Sequence, residues 1–495
     1  MIYHLNSSFG KVGNGIDSAV KRRVELLSKA GYESKIITGV WTGKKNPNIE
    51  YETMYDYFQQ VGNFSSKMDI EDVFSPEEYD VEPVVNRNAY KISKDGTPIA
   101  TIVCFEQSTR IYRAAFYPKN GVVKEEYYDF RGFLSKRSHV IRNNENERYV
   151  VYEVFYTPQG EIGLEKFYNK DKEIAVIKVT HQDAFKILYS EDELVTFWLE
   201  SFLVEDKDVL IIDRTGRYMD GALAMTKRVR LVPIIHSTHL RSTQSDDVVR
   251  YFNVLNNIDH INAAVCGGKR QRKELIERFG NEDKFFDIPV AYKKDEDQIS
   301  NDNAPRIIFA GRLVYEKDVH LGIRTFAEVI KKVPDAEFHI YGLGPEKEKL
   351  VNLADELNLS NKVYFRGYLP FDELKKEYSK AKIMILTSHM EGFPNVLLEA
   401  MCYGIPICSF NIRYGPSDLV DDGLTGFLTD YGDTNALAEK IVTLLKDREL
   451  YSRFSSNTYL KASEYSEERI ANKWANLLKK LGYANDNVQH GFHSY

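Results

Sequence analysis

The chain has 495 residues, 43% hydrophobic, 28% charged and 13% aromatic, the composition of a folded globular protein rather than a fibre or a disordered segment. At roughly 150 residues per domain, that length divides into about three units. Lys and Arg number 66 against 73 Asp and Glu, a formal net charge of −7, which argues against a general nucleic-acid-binding role. The cysteines Cys104, Cys266, Cys402 and Cys408 are scattered and no two have C-x-x-C spacing, so they read as buried thiols of a reducing compartment, not as a disulfide framework or a zinc site. No run approaches the roughly 18 apolar residues of a membrane span, and no basic stretch followed by an apolar one opens the chain. The expectation is a cytoplasmic protein without signal peptide or membrane span.

Residues 2–5 read as a strand, Gly10, Gly13 and Gly15 as a turn, and Ala19, Val20, Arg23, Val24, Leu26 and Leu27 as one face of a helix capped at Gly31. With a strand at 34–38 this opens a doubly wound α/β fold. The glycine spacing is not that of a dinucleotide fingerprint. Over 85–180 the period changes to alternation. Aromatic-rich runs at 99–105, 110–117, 122–130, 149–156, 162–168 and 174–179 are separated by turn signals at 94–96, 118–121 and 157–160, which predicts an inserted antiparallel sheet. Its aromatics fit acceptor binding or, as the plainer reading, cross-strand packing and an oligomer face. The α/β pattern then resumes with strands at 209–213, 231–235 and 261–265. Residues 291–304 are polar and unpatterned and read as a linker, so Asp295-Glu296-Asp297 is a solvated stretch rather than a metal motif. Alternating strands and helices from 306 onward predict a second parallel sheet covered on both faces. The domains expected are 1–84 with 181–290, the insert 85–180, a second α/β domain 305–470, and a terminal helix and tail 471–495.

Four loops follow strands of the second domain, where ligands bind in such sheets. Arg312 and Lys317 place two cations in one loop, able to compensate a departing diphosphate where no metal motif exists. Gly342 and Gly344 permit close backbone approach. Arg366-Gly367-Tyr368 offers a bracket for a nucleobase. The fourth loop, Glu391-Gly392-Phe393-Pro394-Asn395, leads into a helix expected to begin near Phe393, whose amino end favours an anion. Glu399 follows Glu391 by eight residues on that otherwise apolar helix. Basic stretches at 21–23 and 269–272 read as solvated helix faces.

G-R-L-x3-K together with E-G-F-P-N-x3-E resembles the family 4 retaining glycosyltransferases of the GT-B fold, in which two Rossmann-like domains face a cleft. The resemblance implies that Arg312 and Lys317 hold the nucleotide diphosphate, Glu391 contacts the donor sugar's hydroxyls and Glu399 binds the ribose. It also implies that amides near Gly392, Phe393 and Asn395 touch sugar and phosphate, and that Gly15 lies near the diphosphate. A first-domain histidine faces the donor in that family; His236 and His239 both qualify, with His239 favoured by position. The inserted sheet is similar to that of bacterial enzymes that add N-acetylglucosamine to serine-rich or serine-aspartate-repeat adhesins, or α-GlcNAc or glucose to wall teichoic acid. The implied reaction uses UDP-GlcNAc, needs no metal or other cofactor and transfers to a serine-rich protein, with a teichoic acid as the alternative acceptor. A homo-oligomer formed through the insert is expected. A non-catalytic partner subunit is disfavoured by the presence of all four site side chains, and an epimerase of the same fold would reveal itself by acting without acceptor.

Overall fold

The computed structural model describes residues 1–7, 9, 15–44, 49–117, 122–143, 146–182, 184–242, 245–293 and 304–483. Gly10 and Gly13, the turn at 118–121, most of the linker with Asp295-Glu296-Asp297, and the tail beyond 484 lie outside them.

Two parallel sheets carry the architecture. The first has seven strands in the order Phe285–Asp287, Ala264–Cys266, Arg230–Ile235, Val209–Ile212, Ile2–Asn6, Ser34–Thr38, Glu52–Thr53. The second has six, in the order Val363–Gly367, Glu337–Tyr341, Arg306–Ala310, Ile383–Leu386, Ile407–Asn411, Gly426–Asp430. Strands such as Val209–Ile212 and Ile383–Leu386 are buried at every position, as a sheet covered by helices on both faces requires. In the second sheet the strand order reverses between Arg306–Ala310 and its parallel neighbour Ile383–Leu386. That reversal opens a crevice at their carboxyl ends and sets the loop bearing Arg312 and Lys317 beside the loop bearing Glu391. In the first sheet the reversal falls between Ile2–Asn6 and Val209–Ile212. The chain has the GT-B fold.

Inserted within the first domain, between its strands Glu52–Thr53 and Val209–Ile212, lies a ten-stranded antiparallel meander running from Asp80–Pro83 to Ala184–Leu188. It reaches beyond the expected segment 85–180 at both ends, and within that segment the strand Leu134–Arg142 escaped the alternation. That strand carries Ser135 and Ser138 buried, and its neighbour buries Glu125 and Glu126. Their charges are met within the sheet: Arg113 lies 2.6 Å from Glu125, and Arg137 lies 2.8 Å from Glu126. A strand whose inward side chains are polar carries no hydrophobic period. The meander shares a core with the first domain, where Phe155, Leu164, Ile177 and Val179 pack with Leu5, Tyr55 and Trp198.

The chain ends by returning to where it began. Ile470, Trp474, Leu477 and Leu478 of the helix Glu467–Lys480 pack against Ile2, Leu26, Leu27 and Ile234. Among the described residues no helix is long and apolar enough to cross a membrane.

Candidate active site

The Arg312 loop is shaped by glycines that follow the adjacent strand, Glu337–Tyr341. A Cβ on Gly342 would lie 1.8 Å from the carbonyl oxygen of Gly311, and one on Gly344 would lie 2.1 Å from that of Leu313. The two loops are stitched by backbone bonds from Gly311 N–H to the Tyr341 carbonyl (2.9 Å) and from Leu313 N–H to the Leu343 carbonyl (2.9 Å). These glycines make room for the neighbouring loop. Arg312 emerges from this brace exposed, and it makes no ion pair among the described residues. Lys317 ends a short 3-10 turn, Tyr315–Lys317.

Lys317 Nζ donates to Glu391 Oε1 at 2.6 Å, joining the two loops that the sheet reversal sets side by side. Buried Asp318 supports the junction, accepting from the Tyr431 hydroxyl at 2.8 Å and pairing with His389 at 2.5 Å. The helix after Glu391 spans Asn395–Met401, with Pro394 at its N-cap, so it starts two residues later than expected. The Phe393 side chain is buried and packs against Tyr465, which leaves only its backbone for a ligand. The Asn395 Oδ1 atom is buried without a hydrogen-bond partner. Gly415 completes the pocket wall: its φ of 99° requires glycine, and a Cβ there would meet Pro394 at 2.7 Å and Glu391 at 3.2 Å.

Glu399 faces the other domain. Its Oε1 accepts from Arg22 Nη2 at 2.8 Å and its Oε2 from the Tyr378 hydroxyl at 3.3 Å. Arg22 also lies over the Phe371 ring, 5.3 Å from its centroid. Its neighbour Arg23 is 5% exposed and bonds both Asp213 and His4. The basic stretch at 21–23 is thus not a solvated face, and sequence reasoning missed Arg22. Gly15 stands at the start of the helix Gly15–Lys29 with open space around it. Tyr368, 39% exposed, lies on the loop whose Gly367 carbonyl accepts from Gly342 N–H at 2.8 Å.

Of the two histidines, His236 adjoins the Glu391 loop. A Cβ on Gly392 would meet the His236 carbonyl oxygen at 2.6 Å, so Gly392 exists to let the domains touch there. His236 Nε2 bonds Asp213 Oδ1 at 2.8 Å. Asp213 is fully buried; burial pushes its carboxyl up, but the Arg23 charge and the His236 bond outweigh that and hold it at about 2. His239, the residue favoured by position, has different surroundings. It is 1% exposed, stacks on Tyr414 with ring centroids 5.8 Å apart, and lines a separate hollow of about 220 Å³ with Asp246, Glu274 and Arg413. Burial pushes it down to about 4, so it is neutral at pH 7. Asp213 was also missed by sequence; its only signal was a polar residue directly after an apolar strand.

Further contacts hold the domains face to face. Arg413 Nε bonds Glu274 Oε2 at 2.7 Å, and a Cβ on Gly267 would meet Phe393 at 2.4 Å. The Asp418 carboxylate reaches the amino end of the helix Lys269–Phe279, accepting from Arg270 N–H at 3.4 Å. The cleft thus gathers, at the carboxyl ends of two parallel sheets, two cations, two carboxylates and a carboxylate-held histidine.

Residues 291–461 match the family model described as glycosyl transferases group 1. A peptide N-acetylglucosaminyltransferase GtfA subunit from Streptococcus agalactiae, which uses UDP-N-acetylglucosamine, is 24% identical across 97% of this chain and 99% of its own. A poly(ribitol-phosphate) alpha-N-acetylglucosaminyltransferase from Staphylococcus aureus is 25% identical across 95% and 96%. The crystal structure of the pneumococcal O-GlcNAc transferase GtfA with UDP and GlcNAc superposes with a TM-score of 0.85 at 21% identity, covering 98% of this chain and 99% of that one.

Residues 291–461 thus carry the group 1 glycosyltransferase match, within a chain of GT-B fold.

Proposed function

We propose that this enzyme moves N-acetylglucosamine, with retention of configuration, from UDP-GlcNAc to serine hydroxyls of a serine-rich or serine-aspartate-repeat surface protein. The observation that carries this reading is the convergence of Arg312, Lys317, Glu391 and Glu399 on the crevice beside His236, in a chain matched end to end by a peptide N-acetylglucosaminyltransferase. In this account Arg312 and Lys317 neutralise the diphosphate as it departs, taking the place a divalent cation fills in other transferases. Glu391 orients the sugar hydroxyls and Glu399 the ribose. The acceptor oxygen attacks from the leaving-group face and its proton passes to the β-phosphate. Transfer to a protein acceptor is supported by the streptococcal relative, a peptide N-acetylglucosaminyltransferase. The staphylococcal relative, matched over nearly as much of the chain, supports a second reading with a polyol-phosphate acceptor. The antiparallel meander is the proposed acceptor platform or homo-oligomer face, and the proposed compartment is the cytoplasm.

The deciding experiment supplies labelled UDP-GlcNAc with a Ser-Asp repeat peptide, poly(ribitol phosphate) or poly(glycerol phosphate). Label on the peptide supports the first reading. Label on a polyol phosphate alone replaces it with the second, and an epimer formed without acceptor rejects both.

A further inference from the structure

Glu399 is engaged by a residue of the opposite domain. An ionised carboxylate offers about four lone-pair positions, two on each oxygen. Arg22 takes one on Oε1 and Tyr378 one on Oε2. One position on each oxygen stays open, the number that the two adjacent hydroxyls of a ribose require. The pair is a built arrangement rather than a surface encounter. The Arg22 and Glu399 side chains are 17% and 14% exposed, Tyr378 is fully buried, and the Arg22 guanidinium rests on Phe371. Tyr292, Leu398 and Tyr403 line the small cavity beside it, about 60 Å³.

We propose that Arg22 is the first domain's contribution to the nucleoside subsite, a positioning residue that fixes the plane of the Glu399 carboxylate so that it accepts from both ribose hydroxyls. The proposal rests on the reading of Glu399 as the ribose carboxylate. Arg22 does not reach the reacting atoms. It makes ribose recognition depend on the two domains being together, because the group that orients Glu399 belongs to one and Glu399 to the other. Planar guanidinium geometry matters here, since it both stacks on Phe371 and donates along the carboxylate plane.

The test measures binding of UDP and of 2′-deoxy-UDP by titration calorimetry to the wild type, Arg22→Ala and Arg22→Lys, with melting temperatures recorded for each. The wild type is expected to prefer UDP by about tenfold, the value of one well-placed hydrogen bond to a charged group. Arg22→Ala is expected to lower UDP affinity by about tenfold while leaving 2′-deoxy-UDP within about twofold, so that the preference collapses. Arg22→Lys restores it in part. In turnover assays Arg22→Ala raises the donor KM and leaves kcat within about twofold. Equal loss for both nucleotides, or no loss for either, overturns the role of Arg22 and leaves the glycosyltransferase reading standing. A wild type that binds UDP without preferring it over the deoxy form overturns the ribose assignment of Glu399. A wild type that binds neither overturns the UDP-sugar reading as well.

Discussion

Lys317 and Glu391 hold each other at 2.6 Å across two neighbouring loops, the cation assigned to the leaving group bonded to the carboxylate assigned to the sugar. Each is partly shielded from water, and the pair holds the two side chains together. A donor sugar diphosphate inserted there would give Lys317 a stronger anion and Glu391 hydroxyl donors.

Lys317→Ala removes a preorganised charge that acts on the departing diphosphate. It is expected to lower kcat by about 10²–10³, roughly 3–4 kcal/mol of transition-state stabilisation, with a smaller change in KM. Steady-state kinetics with UDP-GlcNAc check this; unchanged turnover removes Lys317 from the reaction.

Glu399→Gln keeps the shape of the side chain and removes its charge. The expected result is a raised donor KM, about tenfold, with kcat little altered, because the ribose lies away from the bonds that change. A fall in kcat at saturating donor would place Glu399 nearer the chemistry than this account allows.

Gly344→Ala forces a Cβ into the carbonyl of Leu313, 2.1 Å away on present geometry, and the Arg312 loop must retreat. Overpacking of this kind typically costs about 1–3 kcal/mol. A lowered melting temperature together with a loss of kcat/KM is expected, although position 344 is not expected to touch substrate. Full activity in a destabilised variant would show that the brace does not set the position of Arg312.

His236 and His239 separate cleanly. His236→Ala is expected to depress turnover, since His236 adjoins Gly392 at the cleft and is held by Asp213. His239→Gln is expected to leave turnover near normal and to change acid stability instead. The native His239 is held at about 4, below its ordinary value of 6.5, so as pH falls from 6.5 toward 4 the unfolded chain takes up a proton that the folded chain refuses. Stability is lost across that window by up to about 3 kcal/mol. Denaturant unfolding at pH 7 and pH 4.5 should show a smaller difference for His239→Gln than for the wild type.

Much of this site is legible in the sequence because its elements are local. Glu391, Glu399, Arg312 and Lys317 each follow an apolar strand, and buried parallel strands announce themselves by composition. What the sequence conceals is reciprocal contact over long separations. Nothing in the sequence shows that the Gly311 and His236 carbonyls pack against Gly342 and Gly392. Arg22 and Arg23 look like a solvated face until Glu399 and Asp213 are found opposite, across intervals that no periodicity encodes. Two histidines three residues apart cannot be told apart without knowing which one turns inward to stack on Tyr414. The strand Leu134–Arg142 was hidden for a different reason, two of its three buried residues being serines, whose partners Gln59 and Glu153 lie outside it.

The central claim is that Arg312 and Lys317 receive the diphosphate of the donor beside the start of the Asn395–Met401 helix. A crystal structure of the enzyme with UDP tests it most directly. The account predicts pyrophosphate oxygens within about 3 Å of both cations, with Lys317 released from Glu391 and ribose hydroxyls on Glu399. A pyrophosphate bound away from Arg312 and Lys317, with the Lys317–Glu391 pair intact, would contradict it.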